Sequence, residues 1–521
     1  MKEFWFSSAV NPLAAKRSLV MLKGHRVPLP AGSSYEPMMR GCNQRALFEE
    51  LVKTGLRHLV VPLNGPHEDT CLFARRHPGW EIKSGESAQA LPQVAPEPAV
   101  GSGAAPIPLP VPAPAPAATP RKKKKNHKPT DVLYDLEHRD EGAFMRLKFL
   151  LDAAEGAGVM LGFTLFSAWP GTLRAPLSRG ANVQGISLED ALLAATGKEP
   201  GPALEKLEAV MRPCVDWIAA EVRGRSAVWV QTFRGLPDDP GGDETSALRP
   251  LLDVEARLAK RLILAFTKSG EDRATSKRGP WAVLSPGASP APAASASNTS
   301  LDPGADFDHV APFDVRRELL PARDDTGRIR GTGTFSFRAT AREERNEALR
   351  RPALCSFAMS DRDEFGKSRP RFTHELLWRT AMNGAWPIVP GGFENRQTRR
   401  WFYSARMSEF FKQWAGRGYI RPCPEILRPM PRGLKIPPAA GTDGCGRYMV
   451  FFEEMPKNGV ELATPPGNYR YYWLDPIIGR LHDMGDGLTG GERCRVPEYD
   501  TELSQLLIIE QEELPDPMSV W

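Results

Sequence analysis

The feature that limits the fold of this chain most is a repeated unit, an amphipathic helix followed by a short strand that is apolar at nearly every position. Residues 45–54 predict the first such helix, and LRHLVVPL directly after it predicts the first such strand. Strands of this kind are buried on both faces, as in a parallel sheet covered by helices. The unit therefore predicts an α/β fold.

The same unit recurs along the chain. Further helices are predicted at 141–156, 204–222, 250–267 and 372–382, and further strands at VMLGFTLF, SAVWVQTF, WAVL, LCSFAM and AWPIVPGG. This number of units favours a (β/α)₈ TIM-type barrel, with an open doubly wound sheet as the alternative. No G-x-G-x-x-G turn follows a strand, which argues against a dinucleotide site, and no cofactor is predicted.

Two segments differ in composition from the rest. Residues 88–129 run from Pro/Ala repeats into RKKKKNHK, and residues 285–306 are rich in Ser, Ala and Pro. Such segments bury too little apolar surface to offset chain entropy, so both are predicted to be disordered insertions. Because single domains rarely grow beyond ~300 residues, we expect a barrel from residues 1–87 and 130–430 and a second domain from 431–521.

The C-terminal region has the pattern of antiparallel strands. Polar and apolar residues alternate through YMVFFEEM, VELAT and GNYRYYWLDPIIGRL, and PPGN and DPIIG are predicted to be turns between strands. We expect an antiparallel β-sandwich, with Tyr469, Tyr471 and Trp473 in its core rather than forming a carbohydrate platform.

Charge and cysteine content exclude several classes of protein. The net charge is +5, but the segment 121–128 carries six positive charges, so the rest of the chain sums to −1. The folded body therefore lacks the basic surface of a nucleic-acid-binding domain. The seven cysteines include no C-x-x-C pair, which argues against a structural zinc site or a disulfide framework, so no metal is predicted.

The N-terminal residues contain no uninterrupted apolar segment followed by a small-residue cleavage site. No stretch of ~18 apolar residues is present to span a membrane. The sequence as written predicts a cytoplasmic protein, and a misassigned start codon would change that expectation. The oligomeric state is not predicted.

Candidate site residues follow the predicted strands, because the active sites of (β/α)₈ barrels lie at the carboxyl ends of the strands. Three neighbouring carboxylates, Asp361, Asp363 and Glu364, follow LCSFAM, and such groups can separate their pKa values to serve as nucleophile and acid. The alternative is a solvated loop that caps the next helix. Other candidates are Trp169 and Arg234, which come after two further strands, and His309 in DFDHVAP. Rim packing is the alternative for Trp169, and a structural hydrogen bond for His309.

Several segments together resemble the apiosidase-like glycoside hydrolases, including the C-terminal domain of that family that is named for collagen binding. They are NPLAAKRSLVMLKGHRV, LYDLEHRDEGAFMRLKFLLDAAEGAGVMLGFTLF, RGANVQGI around Asn182, VWVQTF, SDRDEFG, and the G-x-Y-x-x-x-W-x-D-P-x-x-G run from Gly467 to Gly479. The resemblance implies an oligosaccharide or polysaccharide as partner, with Trp169, Asn182, Arg234 and His309 as candidate sugar contacts.

The resemblance also implies two catalytic carboxylates. The acid/base Glu should follow VWVQTF, where this chain has Arg234 and Gly235. Asp238 or Asp239 in the next loop are the candidate substitutes, and Asp361 matches the nucleophile. Three hypotheses remain open: an active glycoside hydrolase, a pseudoenzyme that binds carbohydrate without cleaving it, and a surface-interaction protein that binds through its β-domain and basic linker.

Overall fold

A computed structural model provides the coordinates of the chain. It describes residues 20–22, 25–27, 30–65, 67–76, 133–167, 175–188, 190–191, 201–225, 228–234, 244–267, 281–283, 314–316, 353–356, 370–382, 385–390, 398–414, 421–428, 434, 438–442, 446–456, 460–497, 499, 501 and 503–512. The two insertions predicted at 88–129 and 285–306 lie outside these residues.

The described residues form the following elements. The strands are β1 (Val20–Leu22), β2 (His25–Val27), β3 (Ala31–Ser33), β4 (His58–Pro62), β5 (Phe73–Arg76), β6 (Leu133–Arg139), β7 (Met160–Ser167), β8 (Val228–Arg234), β9 (Trp281–Val283), β10 (Asp314–Arg316), β11 (Ala353–Ser356), β12 (Ala385–Pro390), β13 (Arg421–Pro422), β14 (Ala439–Thr442), β15 (Arg447–Phe452), β16 (Val460–Asp475), β17 (Arg480–Val496) and β18 (Gln505–Gln511). The α-helices are α1 (Gln44–Lys53), α2 (Glu141–Ala157), α3 (Gly201–Val222), α4 (Glu244–Thr267), α5 (Pro370–Met382) and α6 (Thr398–Trp414).

Eight strands form one parallel sheet in the order β10-β11-β12-β3-β4-β7-β8-β9. Except for β9 and β10, each strand pairs with the next of the eight along the chain, and the last, β12, pairs with the first, β3. An open doubly wound sheet reverses its order at one point, and this sheet does not. Among the described residues, no pair joins β9 to β10. The predicted mixed α/β fold with a parallel sheet is confirmed.

Local signals account for the helix boundaries. The side chain of Asp140 accepts a hydrogen bond from the Ala143 amide at 2.8 Å, which caps the start of α2. Gly158 ends the same helix with φ at 68°, a conformation that glycine adopts without steric cost. Asn43 caps α1 in the same way, through a bond from the Ala46 amide at 3.1 Å. The predicted helices are present, with ends shifted by a few residues.

One face of the parallel sheet packs against helices. A Cβ built on Gly32 in β3 would lie 2.9 Å from the indole nitrogen of Trp401 in α6. Thr232 in β8 donates a hydrogen bond to Glu255 in α4 at 3.4 Å. Gly32 is aligned through the paired strands with Val228 of β8, which lies four residues before Thr232. Because side chains alternate across a strand, Gly32 and Thr232 are on the same face of the sheet. This face is the helix-covered one.

The opposite face carries a close contact between three neighbouring strands. The ring of Trp229 in β8 lies over Gly162 in β7, where a Cβ would come within 2.1 Å of it. The indole nitrogen donates to Nε2 of His58 in β4 at 2.9 Å. All three residues are held by the register of the parallel strands. A side chain larger than hydrogen at residue 162 has no room on this face.

The six strands from β13 to β18 form one antiparallel sheet in the order β13-β14-β15-β18-β16-β17. Alternate residues of β18 face two different cores. Leu506 and Ile508 belong to the core that also contains the parallel sheet, whereas Leu507 and Ile509 belong to a second core with Trp473. The predicted antiparallel strands are confirmed, and this sheet begins at Arg421, before the predicted boundary at residue 431.

Helix α5 joins the two sheets through buried polar contacts. Arg379 pairs with Glu453 at 2.6 Å, and both side chains are almost fully buried. Nε2 of His374 lies 2.8 Å from the Ser504 hydroxyl, also buried. Buried polar groups require such partners, so these contacts define how the second sheet docks.

The two predicted turns of the antiparallel sheet have different outcomes. DPIIG is a turn, with the Asp475 carboxylate accepting hydrogen bonds from two amides, those of Ile477 and Ile478. PPGN is not a turn, because β16 continues through it. Its pairing with β17 is irregular between Thr464 and Asn468, so the prolines lie at a break in register instead of ending the strand.

Candidate functional site

The carboxyl ends of the parallel strands define one edge of the sheet, and the predicted catalytic segments leave from it. The segment with Asp361 follows the end of β11 at Ser356, and the segment with Asp238 follows the end of β8 at Arg234. The last described residues before these two segments, Ser356 and Arg234, therefore lie at the same edge of the sheet. The candidate residues that lie outside the described residues are Trp169, Asp238, Asp239, His309, Asp361, Asp363 and Glu364.

Two of the predicted contacts can be related to the strands. Arg234 is the last residue of β8 and pairs in register with Ser167, the last residue of β7. His309 lies between β9 and β10 along the chain, outside the described residues.

Asn182 holds the loop that follows β7. Its amide nitrogen donates to the carbonyls of Pro176 at 2.7 Å and Ile186 at 2.6 Å, and its oxygen accepts from the Ile186 amide at 2.9 Å. Its backbone also bridges to Tyr134 in β6. The side chain is buried and binds its own loop, which gives it a positioning role at this edge.

Asn64 stabilises the connection that leaves β4 through side-chain hydrogen bonds. It has a φ of 49°, which asparagine tolerates better than most residues. Its side-chain oxygen accepts from the Leu72 amide at 2.9 Å, and its nitrogen donates to the Leu165 carbonyl at 3.0 Å. These hydrogen bonds connect the segment that leads into β5 with the end of β7.

The antiparallel pair of β5 and β6 carries a buried carboxylate at this edge, that of Asp135, only 2% exposed. The Gln184 amide nitrogen donates to it at 2.8 Å and the Glu137 amide at 3.1 Å. Nδ1 of His138 lies 2.9 Å from its second oxygen, which also forms an ion pair with Arg76. We call Asp135, His138, Arg76 and Gln184 the Asp135 cluster.

The electrostatics of the Asp135 cluster favour an ionised carboxylate. Burial raises the pKa of Asp135, but hydrogen bonds from Gln184 and Glu137 and the charges of His138 and Arg76 outweigh that effect and bring the pKa below its ordinary value. An ionised carboxylate only accepts hydrogen bonds. Nδ1 of His138 therefore carries the proton of this hydrogen bond, and Nε2 does not contact Asp135.

An irregularity in strand pairing brings His138 back onto Asp135. In a regular strand, residues three apart point to opposite faces. Here Phe73 pairs with Arg139 and Ala74 pairs with Asp135, so residues 136–138 have no partner opposite them. Such bulges redirect side chains. Sequence reasoning missed the pair because D-x-x-H spacing on a strand does not predict contact, and only the Asp and His types hinted at chemistry.

Two aromatic rings stack at the same edge. Tyr35 follows β3 and His67 follows β4, with ring centroids 3.8 Å apart and an interplanar angle of 25°. Tyr35 remains 40% exposed. A partly exposed ring near the strand ends offers an apolar surface with a polar tip, a suitable contact for a sugar ring.

Within the part of the chain that the structure describes, no group of three or more His, Cys, Asp or Glu is arranged to hold a metal ion. None of the described helices has both the length and the apolar character needed to cross a bilayer.

Comparisons with known proteins found likenesses among solved structures. A protein described as a glycoside hydrolase has a TM-score of 0.49 at 10% identity, covering 94% of each chain. A glycoside hydrolase family 5 protein from Bacteroides vulgatus has a TM-score of 0.49 at 9% identity, covering 96% of this chain and 95% of its own. A family 30 subfamily 8 xylanase from Clostridium acetobutylicum has a TM-score of 0.40 at 9% identity, covering 93% and 97%. No family model and no curated protein matches the chain. These TM-scores lie below 0.5 and do not identify a family or an activity.

Proposed function

We propose that the parallel sheet closes into a (β/α)₈ barrel and that its carboxyl edge binds an oligosaccharide or polysaccharide, as in the apiosidase-like glycoside hydrolases that the sequence resembles. The observation that carries the proposal is the pairing of the last strand, β12, with the first, β3. A sequential parallel sheet with that pairing has the strand order of a closed barrel.

Closure matters because of the distance between the two strands that precede the candidate carboxylates. Along the described sheet, β11 and β8 are five strand steps apart, which is roughly 24 Å at about 4.8 Å per step. A catalytic pair needs carboxyl groups ~5 to 9.5 Å apart. Closing β9 onto β10 places β8 and β11 three steps apart around a ring, within reach across its mouth.

In this proposal Asp361 is the nucleophile or base, with Asp363 and Glu364 beside it, and Asp238 or Asp239 is the proton donor. Trp169 and the partly exposed ring of Tyr35 stack on sugar rings. Asn182 keeps the loop after β7 in place and does not touch the ligand.

A second candidate function is carbohydrate binding without hydrolysis. One observation favours it. The resemblance implies an acid/base Glu directly after VWVQTF, but β8 ends there in Arg234, which is followed by Gly235. Losing one of two carboxylates abolishes the standard form of either glycosidase mechanism. The barrel would then hold the sugar while lacking a proton donor on β8.

Hydrolysis and binding assays separate the two functions. 4-Nitrophenyl glycosides, including the β-D-apioside, are assayed with the native chain, Asp361→Asn, and the control Asp486→Asn, whose carboxylate is exposed on the antiparallel sheet. Turnover that is lost only in Asp361→Asn supports the hydrolase. Turnover that survives in Asp361→Asn removes Asp361 from the mechanism.

Thermal-shift measurements with cellohexaose, xylohexaose and mannohexaose test binding. A ligand at a hundredfold excess over its Kd stabilises the folded state by about 2.7 kcal/mol, which raises the Tm by several degrees. A raised Tm without turnover supports the binding protein. If no compound is hydrolysed and none raises the Tm, the proposed function is wrong.

A further inference from the structure

We infer that His138 is a sugar-contacting residue of this site, held in place by Asp135, and that its Nε2 forms a hydrogen bond with a hydroxyl of the bound oligosaccharide. The inference rests on the proposed function and deepens it, because it adds a contact from the connection after β4 to those expected after β7, β8 and β11.

The first support is that the imidazole of His138 is exposed to solvent while a hydrogen bond to Asp135 fixes its orientation. Its side chain is 63% exposed, yet Nδ1 is bonded to a carboxylate that is 2% exposed. An exposed His on an unconstrained strand would sample several rotamers, and ordering it costs entropy on binding. Here the bond to Asp135 has already selected the ring orientation. Among the described residues, no hydrogen bond to Nε2 is formed.

The second support is that several contacts hold the Asp135 carboxylate in place. Gln184 donates to Asp135 with its nitrogen and accepts from the Leu136 amide at 3.1 Å with its oxygen. Arg76 of β5 supplies the opposing charge. Asp135 is therefore contacted both by His138 on its own strand and by Arg76 on the neighbouring strand. A surface ion pair needs no such support, whereas a ligand contact benefits from it.

The third support is the position of the antiparallel pair of β5 and β6. It lies in the connection between β4 and α2, which leaves the carboxyl edge, and Gln184 lies in the loop after β7. The Asp135 cluster thus joins two neighbouring connections at the edge where ligands of such sheets bind. His138 is placed between the strand ends and the start of α2 at Asp140.

The test uses whichever of cellohexaose, xylohexaose or mannohexaose binds the native full-length chain, with Kd measured by calorimetry. We expect His138→Ala to weaken binding about tenfold, the usual value of one hydrogen bond to a ligand. We expect His138→Gln, whose amide can replace the Nε2 contact, to recover most of the affinity. The control is His482→Ala in the antiparallel sheet, where the imidazole lies 3.8 Å from Asp475, and it should leave Kd unchanged.

Asp135 is a positioning residue, and a double-mutant cycle distinguishes this role from a general loss of stability. Asp135→Asn should weaken binding as much as His138→Ala, and the double variant should bind no worse than either one, because both changes remove the same contact. Additive losses would show that Asp135 acts independently of His138 and would overturn its positioning role.

The remaining outcomes separate the inference from the proposed function. If the native chain binds an oligosaccharide and His138→Ala binds it equally well, the inference is overturned and the proposed function stands. If the native chain binds none of the three, the proposed function fails and the inference fails with it.

Discussion

Replacing Gly162 by alanine tests the packing at the centre of the parallel sheet. A Cβ at this position would lie 2.1 and 2.3 Å from two carbons of the Trp229 ring, whereas real contacts of this kind lie near 3.5 to 4.0 Å. Register on both sides, to β4 and to β8, holds the Gly162 backbone. The ring of Trp229 must therefore move.

The magnitude follows from two effects. Adding a methyl group to a packed core costs about 1 to 3 kcal/mol. If the indole moves, its hydrogen bond to His58, 2.9 Å long and fully buried, is lost, which costs about 1 to 3 kcal/mol more. We expect Gly162→Ala to lower the free energy of unfolding by about 3 kcal/mol, the lower part of that combined range.

The assay is guanidinium denaturation of the full chain, followed by far-UV circular dichroism and tryptophan fluorescence. The matched control is Gly156→Ala in α2, where a Cβ meets nothing within 4 Å. Removing a helical glycine at an open position should stabilise by about 0.5 to 1 kcal/mol. Trp229→Phe offers a second comparison, because the smaller ring leaves room for the methyl group that Gly162→Ala adds.

Two results would refute the reasoning. One is a Gly162→Ala midpoint equal to that of the native chain. The other is a cost of Gly162→Ala that is unchanged in the Trp229→Phe background, since contacting residues should show a coupling of about 1 kcal/mol or more. Either would mean that the ring of Trp229 does not lie over Gly162.

Three further predictions concern buried charges and thiols. Arg379→Met should lower the free energy of unfolding by about 3 to 5 kcal/mol, because it removes the cation from the buried Glu453 carboxylate, and Arg379→Met/Glu453→Gln should recover part of this in the same denaturation assay. The folded-state pKa of Asp135 is lowered, so its ionised carboxylate stabilises the fold above its unfolded-state pKa of about 4, and this effect is lost as pH falls through the folded-state value. The Tm of the native chain should therefore drop more on acidification than the Tm of Asp135→Asn. Equal changes of Tm with pH in the two proteins would contradict this. Burial raises the pKa of Cys214 to about 12 and raises that of Cys71, so neither should react with Ellman's reagent at pH 8 until the chain is unfolded, as read by peptide mapping, whereas labelling of either at the rate of a free thiol would be inconsistent with its burial.

Most helices and most strands of the parallel sheet were predictable because their signals are local. The Asp140 cap and Gly158 mark the ends of α2 within one helix. Six of the eight parallel strands are apolar at most positions, but β3 (AGS) and β10 (DVR) are not. In β18, QLLIIEQ contains one apolar run, although its residues alternate between two cores. A local signal survives because it depends on neighbours a few residues away.

Where the sequence misled, a nonlocal contact outweighed the local one. The prolines of PPGN predicted a turn, but pairing of β16 with both β17 and β18 keeps the strand extended around them. Asp135 and His138 lie three residues apart on β6, a spacing that places side chains on opposite faces of a regular strand, but the irregular pairing with β5 brings them together. The partner strand decides such cases, and the sequence of one segment does not reveal its partner.

The sequence by itself determined five of the six described helices and six of the eight strands of the parallel sheet, because hydrophobic periodicity and end caps depend on the chain within a turn or two. Only the tertiary structure decided that β12 lies beside β3, although the two strands are far apart in the chain, and that Gln184 reaches Asp135 from a different connection. These contacts depend on how complete elements pack against one another, since many strand orders are compatible with the same set of apolar segments.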